Sequence, residues 1–166
     1  REARIAALTA AIEILRRSYY GLVPQASFDL AVRAAADRGE SLDADRVSAL
    51  YCEAQKRFAP PGVAWDARDC QGWVTEPYVF YDLYFYRYLL ATSTAAWMAE
   101  RIERGDRKAI EPYRAFLAAG GSGDASTLLK TAGFDPADPA NYAAMNRRLD
   151  RLVTQLEKEV SADPAT

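Results

Sequence analysis

Helical periodicity, interrupted at intervals by glycine and proline, is the feature that most limits what this chain can fold into. Apolar residues recur three and four positions apart in each long segment, which is the spacing of one face of an α-helix. No segment alternates apolar and polar residues with a period of two, as a half-buried strand does. We therefore predict an all-α fold, a multi-helical bundle that forms a single domain over residues 1–166.

Glycine, proline and capping residues predict where the helices begin and end. Asp138-Pro139 is typical of a helix start, a capping residue followed by proline at the first helical position, and Asp43 is a candidate cap for an earlier helix. No glycine or proline follows Pro77 until Gly105, so we expect one long helix from about Trp73 to Arg104. The other helices are expected over about residues 2–20, 28–36, 43–58, 106–119, 126–132 and 139–160.

Charge and cysteine content exclude several classes of partner. Charged residues make up 27% of the chain but nearly cancel, to a net charge of −2, so we expect neither a nucleic acid nor a membrane partner. No apolar run is long enough to span a bilayer.

The two cysteines, Cys52 and Cys70, are too few for a disulfide framework. We expect them to be free thiols in a reducing compartment, which predicts a cytoplasmic protein.

An aromatic stretch at residues 77–88 resembles a known peptidase signature. It reads Pro-Tyr-Val-Phe-Tyr-Asp-Leu-Tyr-Phe-Tyr-Arg-Tyr, which is similar, without a gap, to the Pro-His-Phe-Tyr-Tyr-x-Phe-Tyr-Val-Tyr-x-Tyr signature of oligoendopeptidase F-like zinc metallopeptidases, in the thimet and oligopeptidase F family. The flanking stretches resemble that family in the same order and cover nearly the whole chain. They are Arg17–Tyr20, Phe28-Asp29, Gly39–Leu42, Leu50-Tyr51, Phe116–Ser122 and Leu128–Asp135.

The resemblance implies a C-terminal lobe of a larger, mainly helical peptidase. Enzymes of that family bind zinc through a His-Glu-x-x-His helix and a downstream glutamate. This chain has no histidine, so it has no such zinc ligands. It begins at Arg1 within a helical pattern, and we expect the zinc motif upstream, in a missing N-terminal part of the same protein. The implied substrate is a short peptide, cleaved inside a closed helical cleft.

The resemblance also implies roles for the tyrosines. In the family, a histidine and tyrosine hydroxyls on this lobe hydrogen-bond the scissile carbonyl as it becomes an oxyanion, a task for donors oriented in advance. Residue by residue, Tyr81 and Tyr84 are the candidate catalytic donors, and Tyr78, Tyr86 and Tyr88 are candidate substrate-binding residues. The family histidine falls at Tyr78, and a phenol cannot replace the protonation switch of an imidazole.

Other interpretations of the same residues stay open. Tyr81, Tyr84 and Tyr88 are three and four positions apart, which is also the spacing of a packing face. Glu76 and Asp82 flank the tyrosines, but two carboxylates six positions apart lie on different helix faces, and we expect them to be solvated. The protein is then a zinc oligopeptidase, a non-catalytic relative that binds peptides or a protein partner, or an unrelated helical adaptor.

Overall fold

The structure, a computed structural model, describes residues 1–81 and 83–162. Within those ranges it contains α-helices and short 3-10 helices and no β-strand, which confirms the all-α prediction. No helix in the described ranges is long and apolar enough to cross a membrane. The α-helices are α1 (Glu2–Ser18), α2 (Val23–Asp37), α3 (Ala44–Phe58), α4 (Tyr84–Glu103), α5 (Ile110–Ala119), α6 (Ala125–Thr131) and α7 (Pro139–Ser161).

The predicted helix caps are present. The Asp43 carboxylate accepts a 2.8 Å hydrogen bond from the backbone N–H of Arg46 at the start of α3. The Asp138 carboxylate accepts a 2.9 Å bond from the N–H of Ala140 at the start of α7. These bonds satisfy backbone donors that have no partner inside the helix. Both predicted helix starts are therefore confirmed.

The prediction of one long helix from Trp73 to Arg104 is wrong. The segment forms two 3-10 helices, Asp69–Thr75 and Pro77–Phe80, before α4 begins at Tyr84. Pro77 lacks a backbone N–H and disfavours the helical conformation of the preceding residue, and Glu76 is accordingly extended, at φ −102° and ψ 96°. A second break lies at Leu83, whose φ of 47° is in the left-handed region.

The chain divides into two compact units, one of residues 16–89 and one of residues 1–15 with the chain from Leu90 onward. The boundaries fall within α1 and α4, and the single domain over residues 1–166 stays a prediction. The core of the unit of residues 16–89 joins α2 to α3. Its buried members are Phe28, Ala35, Leu50, Tyr51 and Ala54, with Trp73 and Val79 packed against them.

A buried carboxylate organises the other unit. Glu100 on α4 is only 4% exposed, and Arg147 on α7 donates three hydrogen bonds to it, the shortest at 2.6 Å. Arg151 and Arg104 add bonds of 3.0 Å each. These guanidinium groups, the Arg147 hydrogen bonds first, lower the pKa of Glu100 to about 2. The carboxylate therefore stays ionised and holds α4 to α7.

The expectation of two free thiols is wrong. Cys52, which is buried in α3, forms a disulfide with Cys70 in the 3-10 helix Asp69–Thr75. The two cysteines are 18 positions apart in sequence, yet their Cα atoms are only 4.5 Å apart, because the loop after α3 returns to that helix. The path of this loop is a tertiary feature that the spacing of the cysteines does not reveal.

Candidate functional site

The candidate site is the tyrosine segment, which we define as residues 77–81 and 83–88; Asp82, between them, lies outside the described residues. The segment begins with a capped turn, because the Glu76 carboxylate accepts a 3.2 Å hydrogen bond from the N–H of Tyr78. The chain is extended at Tyr81 and left-handed at Leu83. These two changes of direction separate the tyrosines before residue 82 from those on α4.

Apolar contacts fix the base of the segment. Val79 packs against the core formed by α2 and α3, as does Trp73 just upstream. The Trp73 indole N–H also donates a 3.0 Å hydrogen bond to the Ser48 hydroxyl on α3. Phe85, on the first turn of α4, is 3% exposed. Partly buried residues and the buried Phe85 therefore anchor the segment, while Tyr78, Tyr81, Tyr86 and Tyr88 are exposed.

Tyr84 lies at the centre of an aromatic cluster. Its ring is stacked on that of Tyr78, with centroids 4.3 Å apart and an interplanar angle of 3°. The ring of Tyr81 lies 6.1 Å from Tyr84, and that of Tyr88 lies 5.1 Å away. Phe85 meets Tyr84 edge to face at 6.1 Å. Such stacked and edge-to-face pairs are favourable geometries for aromatic rings, so each ring restricts the orientation of its neighbours.

The hydroxyl groups of Tyr84 and Tyr88 are 2.9 Å apart and share a hydrogen bond in which either can be the donor. This bond is the main cause that raises the pKa of Tyr84 to about 12, followed by partial desolvation of the phenol. Tyr84 therefore keeps its proton throughout the physiological range. Its hydroxyl is suited to donating a hydrogen bond, not to acting as a phenolate base.

Four of the five predicted site residues come together here. Tyr78, Tyr81 and Tyr88 are 43%, 59% and 49% exposed, and all contact Tyr84 through their rings. Tyr86 is also exposed but makes no ring contact with the cluster among the described residues. It is two positions from Tyr84 on the same helix, and residues at that spacing do not share a face. The roles of all five remain predictions.

Metal ligands are not gathered at this site. Within residues 1–81 and 83–162, no group of three or more histidine, cysteine, aspartate or glutamate side chains is placed to hold a metal ion. The chain also has no histidine, and both cysteines are in the disulfide. Glu76 serves as a cap for the backbone. The residues present therefore do not fit a zinc ion.

Sequence reasoning missed two features of this site. The hydrogen bond between the Tyr84 and Tyr88 hydroxyl groups could have been predicted from the sequence, because residues four apart on a helix are neighbours. The anchoring of the segment on α3 could not have been predicted. Ser48 and Trp73 are 25 positions apart, and no helical periodicity relates one to the other. Trp73 is partly buried and packs against the core formed by α2 and α3.

Comparison with known proteins identifies the family that this chain matches. The model of the family described as "Peptidase family M3" matches residues 8–148. The chain is 24% identical over 155 residues to "Oligopeptidase PepF" of Bacillus subtilis (strain 168), an alignment that covers 93% of this chain and 23% of that protein. It is 23% identical over 157 residues to "Oligoendopeptidase F, plasmid" of Lactococcus lactis subsp. cremoris, covering 95% of this chain and 26% of the relative.

A solved structure has the same fold. The chain superposes on the crystal structure of oligoendopeptidase-F from Enterococcus faecium with a TM-score of 0.81 and 22% sequence identity, covering 94% of this chain and 31% of that one. The chain thus spans about a quarter of the length of the curated relatives that it matches. The fold is common to both.

Proposed function

Because the chain belongs to peptidase family M3, we propose that the protein containing it hydrolyses short peptides and that the tyrosine segment forms one wall of the substrate cleft. The relatives that it resembles are named as oligopeptidases and oligoendopeptidases. The observation that carries the proposal is the exposed cluster around Tyr84, whose hydroxyl stays protonated. Neutral hydroxyl groups held by a rigid support are what a developing oxyanion requires.

In this proposal, Tyr81 and Tyr84 donate hydrogen bonds to the carbonyl oxygen of the peptide bond that is cleaved. Among the described residues the Tyr81 hydroxyl has no hydrogen-bond partner, and the residue is 59% exposed, so its proton is available to a ligand. Tyr84 becomes available when Tyr88 acts as the donor of their shared bond. As the carbonyl oxygen gains negative charge, both bonds strengthen and lower the barrier.

Tyr78, Tyr86 and Tyr88 are proposed to bind the peptide on either side of that bond. The stacked ring of Tyr78 supports Tyr84, and the hydroxyl of Tyr88 orients that of Tyr84. Tyr86 is 46% exposed and is available for a more distant part of the peptide. The large, stiff rings of such residues provide contact area at low entropic cost.

The proposed activity uses zinc, but we propose that the zinc ligands lie outside this chain. The residues here do not fit the ion, since histidine is absent and no ligand group is found in the described ranges. We therefore assign the zinc ligands to the missing N-terminal part of the same protein. A cytoplasmic location is also proposed, and in such a reducing compartment the Cys52–Cys70 disulfide would rarely persist in its oxidised state.

The second candidate function is a catalytically degenerate relative that binds peptides or a protein. The observation that favours it is Tyr78, which occupies the position of the histidine in the resembled signature. Incubating the full-length protein with a fluorogenic short peptide separates the two. Hydrolysis that follows the protein concentration supports the peptidase, whereas saturable binding with no cleavage supports the degenerate relative.

A further inference from the structure

Three residues on one face of α3 hold the 3-10 helix that leads into the tyrosine segment. Ser48, Tyr51 and Cys52 are three and four positions apart, so they point the same way. Each meets a different residue of the 3-10 helix Asp69–Thr75. The partners are Trp73 for Ser48 through a 3.0 Å hydrogen bond, Gly72 for Tyr51 through close packing, and Cys70 for Cys52 through the disulfide.

The loop before this 3-10 helix contributes little restraint. Residues 59–68 are exposed except for two that are partly buried. The hydrogen bonds of Asp66 are local, to Arg68 and Asp69. Segments with few buried contacts open at low free energy. With only two cysteines in the sequence, the disulfide is the one covalent cross-link that returns this loop to α3.

The restraint continues from the disulfide into the tyrosine segment. Glu76 donates a 3.3 Å backbone hydrogen bond to the Trp73 carbonyl oxygen, and its carboxylate accepts the bond from the N–H of Tyr78. Tyr78 in turn stacks on Tyr84. Because Cys70 and Trp73 lie in the same 3-10 helix, this helix and a short chain of bonded neighbours join Cys70 to the two rings at the centre of the candidate site.

We propose that the Cys52–Cys70 disulfide positions the tyrosine segment, and that its oxidation state sets the turnover of the peptidase. The part about turnover rests on the proposed function. Reduction by a dithiol breaks the Cys52–Cys70 bond: the two sulfur atoms take up two electrons and two protons, and the dithiol closes to its own cyclic disulfide. The 3-10 helix then keeps only the Ser48–Trp73 hydrogen bond and its apolar contacts.

The expected loss is one of orientation. Reduction does not modify any of the five tyrosine side chains, but it widens the range of positions that Tyr78 and Tyr81 sample. Small misplacements of groups that act in the transition state lower kcat by up to about 100-fold. Such groups contribute less to ground-state binding, so KM changes less than kcat. A compartment that oxidises the pair favours the ordered segment, and one that reduces it favours the loosened segment.

The test uses the full-length protein, oxidised and after dithiothreitol. Hydrogen exchange read by mass spectrometry should show faster exchange over residues 70–80 on reduction, with residues 139–161 of α7 unchanged. The kcat for a short peptide should fall by about 10-fold or more, with KM changed less. The variant Cys52→Ala/Cys70→Ala should match the reduced protein and ignore the reductant. Cys70→Ser, which keeps the buried Cys52, is the second variant if the double one fails to fold.

The outcomes separate this inference from the proposed function. Unchanged exchange over residues 70–80 overturns the positioning role, whatever the activity. Faster exchange across α7 as well shows a general structural role and also overturns it. Faster exchange confined to residues 70–80, in a protein that hydrolyses no peptide in either state, supports the positioning role while refuting the proposed function and the effect on turnover. If the double cysteine variant also loses activity when dithiothreitol is added, the reductant acts elsewhere in the protein. That result overturns the redox control.

Discussion

The hydroxyl oxygen of Tyr51 lies 2.7 Å from the place that a Cβ atom on Gly72 would occupy. Tyr51 cannot easily move aside, because it is buried, its ring packs edge to face on Phe28 at 5.2 Å, and Gln25 contacts its hydroxyl at 3.5 Å. Only glycine permits the 3-10 helix to approach α3 this closely. The glycine therefore matters for its missing side chain, since its φ is not in the left-handed region.

We expect Gly72→Ala to lower the free energy of unfolding by about 1–3 kcal/mol, the usual cost of overpacking a core. The measurement is chemical denaturation of the two proteins. Gly121→Ala is the matched control, because nothing lies within 4 Å of a Cβ built at Gly121. Equal free energies of unfolding for the two variants would contradict this prediction, because they would mean that the 3-10 helix can move away from α3 without a loss of stability.

Tyr81→Phe and Tyr84→Phe should each lower kcat of the full-length protein by roughly 10²–10³, with a much smaller effect on KM. The reason is that a donor to the oxyanion acts mainly in the transition state. Tyr113→Phe, the same chemical change at a partly buried core position of the other unit, is the control. A kcat close to that of the unmodified protein for both site variants would end the catalytic assignment and leave packing as their role.

Tyr88→Phe should lower the pKa of Tyr84 from about 12 toward 10, because the hydrogen bond between Tyr84 and Tyr88 is the first cause of the increase. Carbon-13 labelling of the tyrosine ring allows this titration to be followed by NMR. The raised pKa also means that an unfolded chain loses this proton first. Ionisation of Tyr84 thus disfavours the folded state as pH rises from 10 to 12. A Tyr84 titration that is the same in both proteins would contradict the role of the hydroxyl bond.

Glu100→Gln should cost about 3 kcal/mol at neutral pH, the loss expected when one partner of a buried ion pair is removed. Because folding lowers the pKa of Glu100 from 4.5 to about 2, its stabilisation is present above the unfolded pKa and is lost as pH falls through that interval. The difference between the two proteins should therefore shrink between pH 4.5 and 2. Glu111→Gln, which removes an exposed pair with Arg114, should cost less than about 1 kcal/mol. A difference that does not depend on pH would refute the ionised pair.

The isolated chain should hold no stoichiometric zinc after dialysis. It has no imidazole, its thiols are joined in the disulfide, and its described carboxylates form no ligand group. Elemental analysis of the purified chain measures this directly. One tightly bound zinc ion per chain would contradict both this prediction and the assignment of the ligands to another part of the protein.

Local features of the fold were predictable from the sequence. The helix starts at Asp43 and Asp138 depend on residues a few positions apart, so the capping signals were sufficient. The break at Leu83 was not predictable, because a left-handed leucine costs free energy locally and is kept only by its surroundings. The periodic pattern continues through it without a glycine or proline to mark the change.

Long-range pairings were the other limit. Cys52 and Cys70 were expected to be free because spacing alone does not show which loop returns to its helix. Glu100 gave no sign of its burial, since its partner Arg147 lies 47 positions away. The tyrosines illustrate both cases: the resemblance located them, while the ring contacts and the hydroxyl bond come from the folding of the segment into two short helical pieces.

The parallel stack of Tyr78 on Tyr84 has a consequence for how this sequence can change over time. Position 78 is where the resembled signature carries histidine, and here its ring determines the surroundings of the neighbouring tyrosine. A smaller imidazole at position 78 would leave the Tyr84 ring without the face on which it now rests. The effects of substitutions at these two positions are therefore expected to be non-additive, so placing a histidine at position 78 alone also changes the surroundings of Tyr84.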